Sequence, residues 1–269
     1  MTAITVLGTG RMGTAIAVRL VDRGHDVVVW NRTAERTGSA VAAGARAAPT
    51  PAAAVDRADV VITMLTDGPA VLSVLCGADG AAAALRPGVP VVEMSTIGPA
   101  AVRSLADHLP GVTLVDAPVG GSIGAVGSGT LNIFAGGPAD AVAAVEPVLA
   151  DLGRVRHCGP LGAGAAVKLV LNTALVTAVA ALADALAVAA AVGVDPDQAL
   201  EVLRSSALGA TVDRVTGGGA FTVALAAKDL ELALSTVDGQ PARLARAAAE
   251  VLAAAPGQAE LVSIIKESR

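Results

Sequence analysis

The sequence predicts an α/β domain built on a parallel sheet, followed by an all-α domain. The first half alternates short runs rich in Val and Ile with longer Ala-rich segments, which is typical of strands joined by crossover helices. Most of the short runs are apolar throughout, as expected when helices cover both faces of a sheet. After residue 161 the strand signals stop, and Ala, Leu and Val recur at helical spacing. We therefore predict one domain over residues 1–161 and a second over residues 162–269.

The elements of the first domain follow from these runs. A helix is predicted over residues 14–23, directly after the first strand. Six runs have the length and composition of strands, and they cover residues 4–7, 26–30, 60–64, 90–94, 113–117 and 132–136.

The second domain is predicted to start with a long helix over residues 164–192. Gly193 is suited to close this helix, and Asp195-Pro196 is typical of the start of the next one. The long helix is apolar enough to resemble a membrane span, but it contains Lys168 and Asn172. A buried helix of a protein without a membrane segment is the better interpretation.

Composition and charge exclude several classes of function. The net charge is −5 and no basic run occurs, whereas binding to nucleic acid requires many Lys and Arg side chains to neutralise phosphates. No metal site is expected, because none of the cysteines and histidines has a partner at metal-ligand spacing. These residues are Cys76, Cys158, His25, His108 and His157. Met1 runs directly into a strand pattern without a signal peptide, and we expect a cytoplasmic protein.

A glycine-rich motif joins the first predicted strand to the first helix. Its first glycine permits a tight turn, its second lets the backbone approach a pyrophosphate, and its third lets helix and strand pack closely. The helix N-terminus adds N–H groups and a positive dipole end. In this context the motif predicts dinucleotide binding in a Rossmann-like domain, and a structural turn or another nucleotide is the alternative. The motif reads Gly8-Thr9-Gly10-Arg11-Met12-Gly13.

The residues after the second strand indicate which dinucleotide is bound. A site that prefers NAD places Asp or Glu there to accept from the ribose 2′-OH, whereas this chain has Asn31-Arg32-Thr33. An Arg and two small hydrogen-bonding side chains suit a 2′-phosphate, which a carboxylate would repel. We therefore expect NADP(H) in preference to NAD(H). The alternative is that Arg32 is only a solvated loop residue.

Lysine is scarce, and its positions suggest chemistry. The chain has 16 Arg but only Lys168, Lys228 and Lys266, and Lys266 lies in a tail where we expect it to be solvated. A desolvated Lys can act as a general acid near neutral pH, which Arg cannot. Asn172 follows Lys168 by four residues, so a helix projects both from one face. The alternative for Lys168 and Lys228 is a side chain that snorkels at a helix end.

Several further motifs occur in a specific order over most of the chain. They are Trp30-Asn31-Arg32-Thr33, Met64-Leu65, Met94-Ser95-Thr96-Ile97, Asp116-Ala117-Pro118-Val119-Gly120-Gly121-Ser122, Gly162-x-Gly164-x-x-x-Lys168-x-x-x-Asn172 and Lys228-Asp229-Leu230. Together with the glycine-rich motif they resemble the β-hydroxyacid dehydrogenase family. This family includes 3-hydroxyisobutyrate dehydrogenases and glyoxylate/succinic semialdehyde reductases.

The resemblance implies roles for individual residues. Lys168 is similar to the family's catalytic lysine, with Asn172 as its companion. The substrate-binding residues implied are Ser122, Gly121, Gly120 and Asp229, of which the first three form a cradle for a carboxylate. The cofactor-binding residues implied, beyond the glycine-rich and Asn31-Arg32-Thr33 motifs, are Met64, Leu65, Thr96 and Lys228. Family members have a Rossmann-like domain followed by a helical domain and commonly dimerise through the latter.

Two departures from the family pattern concern the substrate pocket. The family usually has Ser where this chain has Gly120, so one hydroxyl is missing from the cradle. The region after Lys228 is short for the family and contains no aromatic residue, because Phe221, which precedes Lys228, is the last aromatic residue of the chain. Imine reductases have a similar architecture but usually carry another residue in place of Lys168.

The working hypothesis is NADPH-dependent reduction of a small aldehyde or ketone, either a semialdehyde or an oxo acid, by a homodimer. Lys168 is the proposed general acid. The alternatives are imine reductase-like activity and a non-catalytic NADPH-binding regulator, with a methyltransferase as a third. The absence of Tyr excludes the Tyr/Lys chemistry of short-chain dehydrogenases.

Overall fold

The computed structural model describes residues 1–217, 221–237, 239 and 241–267. Internal contacts divide the chain into two compact units, Met1–Lys168 and Leu169–Arg269, referred to below as unit 1 and unit 2. The division falls further along the chain than the boundary predicted between residues 161 and 162. It lies inside a long helix whose first turns belong to unit 1.

Unit 1 contains a single mostly parallel sheet. All six predicted strands are present, with ends that differ by no more than a residue or so. The strands are β1 (Ala3–Leu7), β2 (Asp26–Trp30), β3 (Arg46–Ala47), β4 (Val60–Thr63), β5 (Val91–Glu93), β6 (Leu114–Asp116), β7 (Val119–Gly120), β8 (Leu131–Gly136) and β9 (Gly153–Gly159). Their order is β3-β2-β1-β4-β5-β6-β8-β7, and β9 pairs with β8.

The sheet departs from the prediction in one part. From β3 to β6 all neighbours are parallel, but β8 runs antiparallel to β6 and to β7. Sequence patterns missed β3 and β7 because each has only two residues. They missed β9 because the exposed Arg154 and Arg156 interrupt its apolar pattern.

Helices cover both faces of the sheet, as the apolar strands predicted. One face packs Ile4 and Val6 of β1 against Ile16 and Leu20. The opposite face buries Leu7 with the apolar sides of other helices. The helices are α1 (Arg11–Asp22), α2 (Gly38–Ala42), α3 (Pro51–Val55), α4 (Gly68–Cys76), α5 (Pro99–His108), α6 (Ile123–Ser128) and α7 (Ala139–Ala150), with 3₁₀ turns at Ala34–Thr37 and Ala81–Ala84.

Unit 2 is helical throughout its described part, apart from one isolated bridge between Thr222 and Glu260. The long helix α8 (Ala163–Ala191) agrees with the helix predicted over residues 164–192. It ends before Gly193, whose φ is +76°, and Asp195 caps the next helix through its carboxylate. The remaining helices are α9 (Pro196–Arg204), α10 (Gly209–Thr216), α11 (Val223–Leu234), α12 (Arg243–Ala254) and α13 (Ser263–Glu267).

One side of α8 forms the core of unit 2. Val176, Leu182 and Leu186 are buried there together with Leu230 and Leu252. By length and composition alone, α8 would also qualify as a membrane span. Its buried side gives the helix the packing expected of a core helix.

Candidate active site

The glycine-rich turn lies where the strand order reverses direction. β1 is flanked by β2 and β4, so the turn after β1 opens beside the segment after β4. In open α/β sheets, ligands bind in the crevice at this point, beyond the carboxyl ends of the strands. The amide of Gly8 donates to the carbonyl of Trp30 at 2.8 Å and fixes the turn to the end of β2.

Two of the motif's glycines allow close packing of backbone on backbone. Gly8 has a φ of +105°, and a Cβ there would collide with the carbonyl oxygen of Met64. A Cβ on Gly13 would collide with the carbonyl oxygen of Gly8. Helix and strand therefore approach as closely as the sequence predicted.

The middle glycine leaves the space that a dinucleotide needs. Apart from its immediate neighbours in the chain, no described residue has an atom within 4 Å of the position that a Cβ on Gly10 would take. Gly10 is also the N-cap of α1 and has no side chain to cap the first amides of that helix. An open backbone cradle at a helix N-terminus fits a pyrophosphate group. The residues present thus fit the predicted cofactor.

Asn31 connects the glycine-rich turn to the loop after β2 through the two ends of its amide. Its Oδ1 accepts from the amide of Thr9 at 3.1 Å, and its Nδ2 donates to the carbonyl of Thr33 at 2.9 Å. Thr14 Oγ1 donates to the carbonyl of Thr9 at 3.1 Å and fixes the turn from the other side. The side chains of Arg32 and Thr33 are exposed.

A buried carboxylate supports the segment after β4. Glu93, at the end of β5, accepts from Thr63 Oγ1 and from the amide of Ser95 at 2.6 Å. Ser95 Oγ accepts in turn from the amide of Leu65 at 2.8 Å. Burial raises the pKa of Glu93 from 4.5 to about 7, although the hydrogen bonds from Ser95 and Thr63 oppose the increase. Sequence reasoning gave Glu93 no role, and a single acid in the apolar run Val91-Val92-Glu93-Met94 was the available signal.

A second buried carboxylate anchors the beginning of α8. Asp116, at the end of β6, accepts from the amides of Gly162 and Ala165, each at 2.7 Å. A negative charge at a helix N-terminus is stabilised by the dipole and by the unpaired amides. Burial nevertheless raises the pKa of Asp116. The sequence motif contained Asp116, but its anchoring role was not predicted.

Lys168 meets the predicted cradle within unit 1. Its Nζ donates to the carbonyl oxygen of Val119 at 2.7 Å, and the side chain is half-buried. Val119 directly precedes Gly120 and Gly121, the first residues of the cradle motif. Ser122 follows them and accepts from the amide of Ala125 at 3.4 Å as the N-cap of α6. The structure therefore brings Lys168 to the segment that carries the predicted cradle.

Asn172 and Asp229 form a buried pair in unit 2. Asn172 lies on α8 one turn after Lys168, and its Nδ2 donates to Asp229 Oδ2 of α11. Both side chains are 3% exposed. Lys228 Nζ forms an ion pair with Asp229 Oδ1 at 2.8 Å. Asp229 thus binds Asn172 and Lys228, and the side chain of Lys266 lies outside the described part of the chain.

Two protein-family models match the chain and together cover most of it. Residues 3–162 match the NAD binding domain of 6-phosphogluconate dehydrogenase. Residues 162–262 match the family described as NAD-binding of NADP-dependent 3-hydroxyisobutyrate dehydrogenase.

Individual relatives show the same likeness. The chain is 36% identical over 254 residues to a 3-hydroxyisobutyrate dehydrogenase of Pseudomonas aeruginosa, covering 87% of this chain and 85% of that one. It is 34% identical over 252 residues to an NAD-dependent L-serine dehydrogenase of the same organism, covering 87% and 84%. Among solved structures, a Mycobacterium tuberculosis 3-hydroxyisobutyrate dehydrogenase with L-serine is 30% identical and has a TM-score of 0.85. The likeness covers 100% of this chain and 99% of that one.

Proposed function

The chain belongs to the β-hydroxyacid dehydrogenase family, and from this premise we propose that it is an NADPH-dependent reductase of a small aldehyde or ketone that carries a carboxylate. Semialdehydes and 2-oxo acids are the proposed substrate classes. The observation that carries the proposal is the position of Lys168. Its ammonium group donates to the carbonyl oxygen of the residue directly before Gly120, Gly121 and Ser122.

The bound nicotinamide supplies the hydride in this proposal. Gly10 and the first amides of α1 would hold the pyrophosphate. Met64, Leu65 and Thr96 follow β4 and β5 at the same edge of the sheet and would line the cofactor crevice. That Lys228 faces the cofactor stays a prediction from the family resemblance.

The choice of NADPH rests on the segment after β2. Asn31 bonds to Thr9 and Thr33 through its amide, and the exposed side chains of Arg32 and Thr33 are the ones proposed to bind a 2′-phosphate. Arg matches the geometry of phosphate oxygens, and no carboxylate stands there to repel them. The family contains both NADP-dependent and NAD-dependent enzymes, since one matching family model is named for an NADP-dependent enzyme and the serine dehydrogenase relative is NAD-dependent by name.

Lys168 is the proposed general acid. It donates a proton to the carbonyl oxygen as negative charge develops there, a contribution of about 10²–10⁴ to rate. The carbonyl of Val119 holds the ammonium group in place before the substrate arrives. Asn172, one helical turn further on, orients the substrate carbonyl, and the buried Asp229 fixes its amide.

Gly120, Gly121 and Ser122 form the proposed carboxylate cradle. Backbone amides and the Ser122 hydroxyl are suitable donors for an acid group. Because position 120 has no hydroxyl, we expect the cradle to bind the carboxylate with fewer donors than a Ser-containing cradle does. Weaker binding of short acids follows from this difference.

The test is oxidation of NADPH and NADH in parallel with a panel of carbonyl compounds. The panel consists of glyoxylate, succinic semialdehyde, larger 2-oxo acids and one cyclic imine. Turnover of an acid substrate, faster with NADPH, is the expected result. Turnover of the imine alone contradicts the carboxylate cradle, and NADPH binding without any turnover favours a regulator.

We also propose that the protein is a cytoplasmic homodimer. The two cysteines are free thiols, which suits a reducing compartment. α8 exposes Val170, Leu171 and Val188, an apolar surface that a second copy would bury. A monomeric mass in light scattering contradicts the dimer.

A further inference from the structure

The carboxyl group of Glu93 has no part in the proposed chemistry, yet it is fully buried in the middle of the sheet. Its exposed fraction is 0%, and β5 lies between β4 and β6. Burying an acid is unfavourable unless it is hydrogen-bonded. An apolar side chain would fill the same place in an apolar strand without that penalty.

The hydrogen bonds of Glu93 lead to the wall of the glycine-rich turn. Glu93 holds the amide of Ser95, and Ser95 Oγ accepts from the amide of Leu65. Two hydrogen bonds, one to the amide and one to the hydroxyl of Ser95, therefore connect Glu93 to Leu65 across two neighbouring strand ends.

The segment held in this way packs directly against the turn. The carbonyl oxygen of Met64 would collide with a Cβ on Gly8, and Leu65 Cδ2 lies 2.8 Å from the position of that Cβ. Met64 Cβ is 3.4 Å from the position of a Cβ on Gly13. A shift of Met64 and Leu65 would therefore displace the turn or open a gap beneath it.

We propose that Glu93 is a positioning residue of the cofactor site, which fixes Met64 and Leu65 against the glycine-rich turn through Ser95. The inference rests on the proposed function, because it takes this turn as the dinucleotide cradle. Glu93 itself is buried beneath the segment, and its connection to Leu65 passes through Ser95.

The same carboxyl group lies next to the anchor of α8. Glu93 and Asp116 are register partners in β5 and β6, and the charge of Asp116 disfavours ionisation of Glu93. Asp116 holds the amides of Gly162 and Ala165 at the start of the helix that carries Lys168. Two adjacent strand ends thus position the cofactor turn and the proposed catalytic lysine.

Ser95→Ala and Thr63→Val form a matched pair that tests this role. Each removes one buried hydroxyl beside Glu93. Thr63 Oγ1 donates to Glu93, whereas Ser95 Oγ accepts from the amide of Leu65. Both variants are expected to lose similar stability. Ser95→Ala is expected to weaken NADPH binding about tenfold, and Thr63→Val to leave it within about twofold of the wild-type value.

Trp30 provides a binding signal that does not require turnover. It is the only Trp in the chain, it ends β2, and its carbonyl accepts from the amide of Gly8. Quenching of its emission on titration with NADPH gives a dissociation constant for each variant. In turnover assays Ser95→Ala is expected to raise the KM for NADPH and to leave kcat near the wild-type value, as a positioning role requires.

A double-mutant cycle tests whether Glu93 acts through Ser95. Glu93→Leu keeps the volume and removes the acceptors, and adding Ser95→Ala to it is expected to weaken NADPH binding less than twofold further. A tenfold further loss overturns the proposed connection. If Glu93→Leu does not fold, as circular dichroism would show, the Ser95→Ala and Thr63→Val pair decides alone.

Equal NADPH binding by Ser95→Ala and wild type overturns the inference and leaves the proposed function intact. An equal loss in both hydroxyl variants also overturns it. A wild-type protein that binds neither NADPH nor NADH defeats the proposed function, and the inference with it.

Discussion

The ammonium group of Lys168 donates a hydrogen bond to the carbonyl oxygen of Val119, over 2.7 Å. The acceptor is a backbone carbonyl, so a substitution at position 119 would not remove it. The hydrogen bond places Lys168, the one charged residue in the first turns of α8, beside the first residue of β7, directly before Gly120 and Gly121 of the predicted cradle.

Gly10→Ala and Gly13→Ala are expected to separate cofactor binding from folding. A methyl group on Gly10 points into open space, so the free energy of unfolding should change little while NADPH binding weakens more than about tenfold. A methyl group on Gly13 meets the carbonyl of Gly8, and stability should fall by about 1–3 kcal/mol. Thermal melts and Trp30 titrations measure both quantities. Unchanged NADPH binding in Gly10→Ala contradicts the cradle.

Arg32→Ala and Asn31→Ala are expected to affect cofactor binding differently. Loss of the Arg32 guanidinium should weaken NADPH binding by about ten- to a hundredfold and leave NADH binding nearly unchanged, since only NADPH has a 2′-phosphate. Loss of the Asn31 amide releases Thr9 and Thr33, and should weaken both cofactors to a similar extent. Titrations with each cofactor give the ratio of the NADPH and NADH dissociation constants for each variant. A selective loss of NADPH in Asn31→Ala indicates a direct phosphate contact instead.

Glu93→Gln is expected to change the dependence of stability on pH. The pKa of Glu93 is raised from 4.5 to about 7, so between these values the folded protein keeps a proton that the unfolded chain releases. Wild-type stability from this group therefore decreases as pH rises from about 4.5 to about 7 and is constant above that range. Urea unfolding of both proteins measures the difference.

The amide in Glu93→Gln does not titrate, so the variant should gain relative to wild type across that window. A constant difference between the two proteins from pH 4.5 to pH 7 contradicts the raised pKa.

The features that the sequence predicted correctly are determined locally. A turn that needs Gly8 and Gly13 shows in the spacing of the glycines, and strands buried on both faces show as apolar runs. The helix cap at Asp195 and the end of α8 at Gly193 follow from the side chains at those positions.

The features that it missed depend on which strands become neighbours. Glu93 and Asp116 meet only because β5 and β6 pair in one register, and Glu93 reaches Leu65 through a different strand end. The antiparallel direction of β8 likewise depends on the connection through α6, which the composition of residues 132–136 does not specify. The hydrogen bond from the amide of Thr9 to Asn31 also depends on the pairing of β1 with β2, which brings two residues distant in sequence together.

The most direct test of the account is Lys168→Ala, assayed for turnover and for NADPH binding in the same preparation. The proposed role predicts that turnover falls by about 10²–10⁴ while the dissociation constant from Trp30 quenching stays within about twofold of wild type. Turnover close to the wild-type rate in a folded variant that binds NADPH contradicts the role of Lys168 as the proton donor.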